Sequence, residues 1–98
     1  YKCISLTEAK AVVKSKRAVF VDIRDELSFS KSHIKNAIHL TQNNLDSFLK
    51  NKKKDEHLIV YCYHGNSSRD ASEFLMRQGF KNVYSLSGGF SEYKKLNQ

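Results

Sequence analysis

Leu58-Ile59-Val60-Tyr61-Cys62-Tyr63-His64-Gly65-Asn66-Ser67-Ser68-Arg69 runs from a short apolar segment through a polar turn into a segment of helical periodicity. Leu58 to Tyr61 is continuously apolar and partly β-branched, as a strand covered on both faces reads. After the turn Tyr63 to Ser67, the segment Ser68 to Gln78 sets Ala71, Phe74, Leu75 and Gln78 along one side, with Gly79 as a left-handed stop and Met76 needed only for packing. A thiol thus stands where a buried strand ends. Gly65 and Asn66 tolerate positive φ, so the chain can curl with its N–H groups inward as an anion-binding nest. The first turn of the next helix adds unsatisfied donors and the positive end of its dipole. A cysteine over such a cradle ionises easily, because these donors stabilise the thiolate. A strand-end cysteine by itself is often core filling. The turn that follows favours a nucleophile, since packing has no use for an anion site.

On the N-terminal side, Ser5-Leu6-Thr7-Glu8 fits a capping box, and Leu6, Ala9, Val12 and Val13 follow at helical spacing, which predicts a helix to about Lys16. Val19 to Ile23 reads as a second buried strand, Glu26 to Ser30 as a short helix, and Ala37 to Leu40 as a weaker strand. Thr41 is expected to cap a helix with Leu45, Phe48 and Leu49 as its stripe. On the C-terminal side, Val83 to Leu86 is a strand, and Gly88-Gly89 leads into a last helix that turns Phe90, Tyr93 and Leu96 inward. Strands alternating with helices predict an α/β fold with a parallel sheet, and ligands bind such sheets beyond the carboxyl ends of the strands. That rule points to the loop after Tyr61.

The 98 residues, 40% of them hydrophobic, suffice for one core and predict a single domain over 1–98. Apolar runs fall short of the roughly 20 residues that span a bilayer. No secretory pattern is visible at Tyr1-Lys2-Cys3-Ile4, so the expected address is cytoplasmic, with no membrane partner. Cys3 and Cys62 are far apart and lack zinc spacing, so both are expected to be free, reduced thiols, with Cys3 inert on a first strand. A net charge of +7, from 17 Lys and Arg against 10 Asp and Glu, favours anionic substrates or acidic protein partners. The lysines are scattered, and nucleic acid is not expected as a partner. Lys50, Lys52, Lys53 and Lys54 read as a solvated connector.

The loop Cys62 to Ser68, together with Val21-Asp22-Ile23-Arg24-Asp25, Phe29, Ser32-His33-Ile34 and Tyr84-Ser85-Leu86-Ser87-Gly88-Gly89-Phe90, resembles the single-domain rhodaneses over nearly the whole chain. It also closely resembles the small bacterial thiosulfate sulfurtransferases of the GlpE type. It implies a rhodanese-like fold, a five-stranded, mainly parallel sheet with helices on both faces, and an active loop running from Cys62 to Ser67. It also implies sulfur transfer: the Cys62 thiolate takes the outer sulfur of thiosulfate, releases sulfite, and passes the sulfur to cyanide or to a thiol such as a thioredoxin-type dithiol. No metal or organic cofactor is needed. Donors to the persulfide are assigned to the backbone of Tyr63, His64, Gly65, Asn66, Ser67 and Ser68. Departures from the family pattern are Ser32, Lys35 and Asn36 around the His-Ile pair, and Tyr93 where the family often has Trp.

Side-chain roles stay open. His64 can tune the thiolate or be merely solvated, and Ser67 and Ser68 can donate to the persulfide or cap the helix. Arg69 can attract the incoming anion or pair with a carboxylate. Asp22 and Arg24 read as structural, His33 as a satisfied packing histidine, and Gly88 and Gly89 as sites of close backbone approach. Cysteine phosphatases and arsenate reductases, which share the thiolate cradle, place an arginine where this chain has Ser68, so that activity is not expected. The remaining rival is a non-catalytic rhodanese-like binding module.

Overall fold

A computed structural model describes residues 1–96. In chain order the elements are β1 (Lys2–Ile4), α1 (Leu6–Lys16), β2 (Val19–Asp22), α2 (Glu26–Lys31), β3 (Ile38–His39), α3 (Leu45–Asn51), β4 (His57–Tyr61), α4 (Ser67–Arg77), β5 (Asn82–Leu86) and α5 (Gly89–Leu96). The strands form one five-stranded sheet in the order β1-β5-β4-β2-β3, and every pairing is parallel. β4 lies at the centre, and Leu58, Ile59, Val60 and Tyr61 are all fully buried. Because strand side chains alternate, Ile59 and Tyr61 join Leu6, Ala9 and Phe90 from α1 and α5 on one face. Leu58 and Val60 join Phe48 and Leu75 from α3 and α4 on the other. Burial of each β4 aliphatic side chain contributes about 1.5–3 kcal/mol. No helix among the described residues is long and apolar enough to cross a membrane.

Local chemistry accounts for several boundaries. The Ser5 hydroxyl accepts the Glu8 amide at 3.1 Å while the Ser5 amide donates to Glu8 Oε1 at 2.9 Å, the reciprocal box expected at the start of α1. Asp25 caps α2 by accepting the Ser28 amide at 2.8 Å. Asn36 has φ +67°, and the Ala37 amide closes a turn onto the Ile34 carbonyl. Asparagine tolerates that left-handed conformation, so the turn survives its departures from the family pattern.

Other expectations are corrected. Thr41 does not cap α3: Asn44 occupies the cap position without a side-chain bond to the helix, and its amide side chain instead accepts from Thr41 and donates to the His39 carbonyl. Nor is the lysine run simply solvated. Lys52 pairs with Glu56 at 3.3 Å, while Lys54 donates to the Leu49 carbonyl at 2.8 Å and lies over the Phe80 ring at 4.1 Å. An apolar stem on an aromatic face and an ammonium at orphan carbonyls of a helix end explain that placement. α4 is rotated from its expected phase: Ser68, Ser72 and Leu75 face inward, whereas Phe74, Met76 and Gln78 are exposed. Tyr93 packs on the core, but Leu96 is 60% exposed, since α5 has run past the sheet by then.

At the end of β2, Asp22 is fully buried and forms a bidentate pair with Arg24, whose Nη2 also donates to the Ser32 carbonyl and whose guanidinium sits over the Phe90 ring. His33 stacks on Phe29 with centroids 3.8 Å apart and bonds the Phe29 carbonyl through Nδ1. These residues tie α2 and the following turn to the sheet.

Arg17 ends α1 with φ +56°, a conformation that costs a residue with a Cβ about 1–2 kcal/mol. Replacing it with glycine is expected to raise stability by about 0.5–1 kcal/mol, the remainder being lost to the entropy of the unfolded chain. Urea unfolding of Arg17→Gly beside the wild type measures this.

Candidate active site

Cys62 follows the last residue of β4, and its sulfur lies against the start of α4. The Gly65 amide donates to Sγ at 3.1 Å and the Ser68 amide at 3.4 Å. Burial pushes the Cys62 thiol up, but the Ser68 hydroxyl and the amides of Ser68, Gly65 and Ser67 together outweigh it, leaving the thiol below its ordinary range. All of these donors are neutral, so they stabilise negative charge on sulfur without giving it a proton. Of the six expected amide donors, those of Gly65 and Ser68 make hydrogen bonds to the sulfur. Those of Tyr63, His64 and Asn66 make no hydrogen bond to it among the described residues.

The loop holds this shape because its carbonyls are taken from behind. The Phe90 amide donates to the Cys62 carbonyl at 2.8 Å and the Ser91 amide to the Tyr63 carbonyl at 2.9 Å, so the N-terminus of α5 pins the first two peptide groups of the loop. Gly89 makes this approach possible. A Cβ there would collide with the carbonyl oxygens of Cys62 and Tyr63, and its φ is +56°. Gly65, with φ +97°, turns the chain back toward the sulfur while packing against the Gly88 amide and the Leu86 carbonyl. The sequence marks Gly89 as a point of close approach and Gly65 as tolerant of positive φ, but not the carbonyls that require Gly89.

The capping role expected of the serines is not met. Neither Ser67 nor Ser68 caps α4, whose cap position is Asn66. Ser68 is fully buried, and its hydroxyl meets that of Ser85 on β5 at 2.8 Å. Ser72 donates to the Ser68 carbonyl at 2.7 Å. Ser85 and Ser72 are parts of the site that sequence reasoning missed; the only signal was the presence of small polar residues at otherwise apolar phases of β5 and α4.

His64, Asn66 and Arg69 face outward and line a shallow cleft of about 220 Å³ shared with Cys3. Arg69 Nη2 donates to Asn66 Oδ1 at 3.1 Å and makes no ion pair with a carboxylate among the described residues. Cys3 is exposed on the edge strand β1, with no amide donating to its sulfur among the described residues. A larger cleft of about 700 Å³, bordered by Arg24, Leu40, Leu45 and Phe74, does not include Cys62.

A parallel sheet whose central strand delivers a cysteine into a cradle of loop amides defines a class, and the family comparison agrees: the rhodanese-like domain matches residues 5–96, so the chain belongs to the rhodanese-like domain family. Among solved structures it resembles a rhodanese-related protein from Thermoplasma volcanium, with 26% identity, TM-score 0.83, and coverage of 99% of this chain and 94% of that one. The human single-domain sulfurtransferase TSTD1 shares the fold at 19% identity and TM-score 0.86, with 100% and 99% covered. So does a Rhodopseudomonas palustris protein of unknown function, described as a possible tyrosine phosphatase, at 24% identity and TM-score 0.80, with 97% of this chain and 80% of that one covered.

Two outcomes follow from this geometry. Gly89→Ala is expected to lose at least about 2 kcal/mol of stability in urea unfolding, since it adds left-handed strain to a collision with two carbonyls. The folded thiol of Cys62 titrates below the unfolded one, so its anion adds stability that is fully present above the unfolded value of about 8.5 and is lost as pH falls through the lowered folded value. The stability of the wild type relative to Cys62→Ala is therefore expected to rise as pH is raised from the lowered folded value toward the unfolded one and to level off above it. A flat difference would mean that the folded protein does not favour the anion.

Proposed function

We propose that this rhodanese-like domain is a sulfurtransferase that carries sulfane sulfur as a persulfide on Cys62. The observation that supports it most is the pair of amides, from Gly65 and Ser68, donating to the Cys62 sulfur at the end of the central strand. In the first step the Cys62 thiolate attacks the outer sulfur of thiosulfate. A new S–S bond forms, the old one breaks, and sulfite leaves with its electron pair. In the second step cyanide or a thiolate attacks the outer sulfur and Cys62 departs as thiolate. With a dithiol acceptor, the first thiol takes the sulfur and the second displaces it as hydrosulfide, closing a disulfide on the acceptor. Both steps are displacements at sulfur and balance without a metal or organic cofactor. A thiolate and a persulfide are each large, soft anions, and fixed neutral donors serve both.

Roles beyond Cys62 follow from position. Gly65, Ser67 and Ser68 hold the anion, while Tyr63, His64 and Asn66 shape the mouth through which donor and acceptor pass. Arg69, exposed in the first turn of α4 and with no carboxylate partner among the described residues, adds long-range attraction for an incoming anion, in keeping with the net charge of +7. Two free cysteines suit a reducing compartment, which supports a cytoplasmic address.

Phosphoryl transfer fits the site less well. A tetrahedral oxyanion above the sulfur needs a guanidinium aimed into the cradle. Ser68 holds that position, and Arg69 is turned outward onto Asn66.

Incubation with thiosulfate is expected to add the mass of one sulfur atom to the intact protein. Cys62→Ser should abolish the addition and Cys3→Ser should leave it in place. Equal loading of the two variants would sink the assignment, and absence of loading with any sulfane donor would leave a binding module. With an aryl phosphate, Cys62-dependent hydrolysis is expected to stay at background.

A further inference from the structure

The groove of about 700 Å³ that Cys62 does not line has no part in the two displacement steps, yet it begins beside the active loop. The Ile23 amide donates to the Tyr61 carbonyl at 3.1 Å, so one wall of the groove is bonded to the peptide group that leads into Cys62. The opposite wall is Phe74, on the helix whose first turn gives the Ser68 amide to the sulfur. Ile23, Leu40 and Leu45 are half-buried, and Phe74 is 37% exposed. Thr41 and Gln42 edge this apolar lining. An open apolar patch with a polar rim has the anatomy of a docking surface.

The charge of the groove runs against that of the chain. The Arg24 guanidinium is already matched by Asp22 and its side chain is 7% exposed. Asp25 and Glu26 are exposed at the rim, and neither forms an ion pair among the described residues. Hydrogen bonds from the Ser28 side chain and amide hold the Asp25 carboxyl below its usual range, so it is charged at neutral pH. No lysine lines the groove among the described residues. On a chain of net charge +7, this acidic mouth repels the small anions that the general field attracts. It suits a partner that brings an apolar group and a positive charge together.

We propose that the groove docks a protein that accepts the sulfur, through a segment that seats an apolar side chain against Phe74 and Leu40 and sets a lysine or arginine against Asp25 and Glu26. The proposal rests on the sulfurtransferase reading and gives its second displacement a partner class. A cysteine close in sequence to the docked side chain is carried to the loop, where its thiolate attacks the outer sulfur of the persulfide and Cys62 leaves as thiolate. Cyanide is small and needs no such surface.

Binding is measured first, without sulfur, by fluorescence anisotropy of labelled short peptides in which leucine and phenylalanine are flanked by lysines or, in the control, by glutamates, with serine in place of cysteine. The wild type is expected to prefer the lysine peptide, and the preference should fade as salt is raised. Phe74→Ser should weaken that peptide about tenfold, and Glu26→Lys should shrink the preference severalfold. With the cysteine restored in the peptide, unloading of the thiosulfate-loaded protein should slow by the same factors in the two variants, while unloading by cyanide stays at the wild-type rate. Equal binding of the two peptides by the wild type, or binding untouched by Phe74→Ser, overturns the proposal. So does a dimer in sedimentation that Phe74→Ser and Glu26→Lys both dissolve, which assigns the groove to a second copy of this chain. Cyanide unloading slowed as much as peptide unloading overturns it as well, since the variants would then act on the loop. Absence of thiosulfate loading beside intact peptide preferences would reject the transfer reaction and keep the groove as a docking surface.

Discussion

The carbonyls of Cys62 and Tyr63 are held by the amides of Phe90 and Ser91, and the rest of the loop takes its orientation from that constraint. A peptide group is planar, so a carbonyl drawn to one side leaves its N–H on the other. With the early carbonyls engaged by α5, the turn at Gly65 brings later amides around to the sulfur from the α4 side. The cysteine thus sits between two helix N-termini that do different work. α5 supplies amides to the backbone of the loop, and α4 supplies them to the sulfur. Both termini reach the same edge because parallel strands β4 and β5 end there and each is followed by a helix.

Stabilising an anion with neutral donors differs from pairing it with a cation. Under the proposed reaction, a cationic neighbour would bind the thiolate strongly but also the leaving anion, and an acidic one would protonate the persulfide. Amides and hydroxyls do neither. The one strong ion pair near the sheet edge, Asp22 with Arg24, is self-contained and fixes α2 and Phe90 rather than the sulfur. Under the proposed reaction, the net charge of +7 would attract anions at a distance rather than at the sulfur.

The same logic explains the phase of α4. Apolar periodicity alone would turn Phe74 inward, but the hydrogen bonds of Ser68 and Ser72 fix the rotation of the helix from its first turn. Each further residue then follows at about 100°, and Phe74 is carried to the surface, beside Leu40 and Leu45. A buried hydroxyl left without a partner costs about 1–3 kcal/mol, comparable with what burying one aromatic ring contributes. Two such groups outweigh one ring.

The sequence by itself determined the order of elements, the capping of α1, the parallel sheet and the thiol at the end of its central strand, because each rests on local periodicity or on a side chain bonding within its own turn. It also marked Asp22 and Arg24 as structural, and the structure pairs them at 2.8 Å. Only the tertiary structure decided which amides reach the sulfur, which glycine admits α5, how α4 is rotated, and that Ser85 backs Ser68. Those facts depend in part on partners far along the chain, from Ser85 against Ser68, 17 positions away, to Phe90 against Cys62, 28 positions away. Spacing along a chain carries no record of a meeting made by neighbouring strands and the helices that follow them.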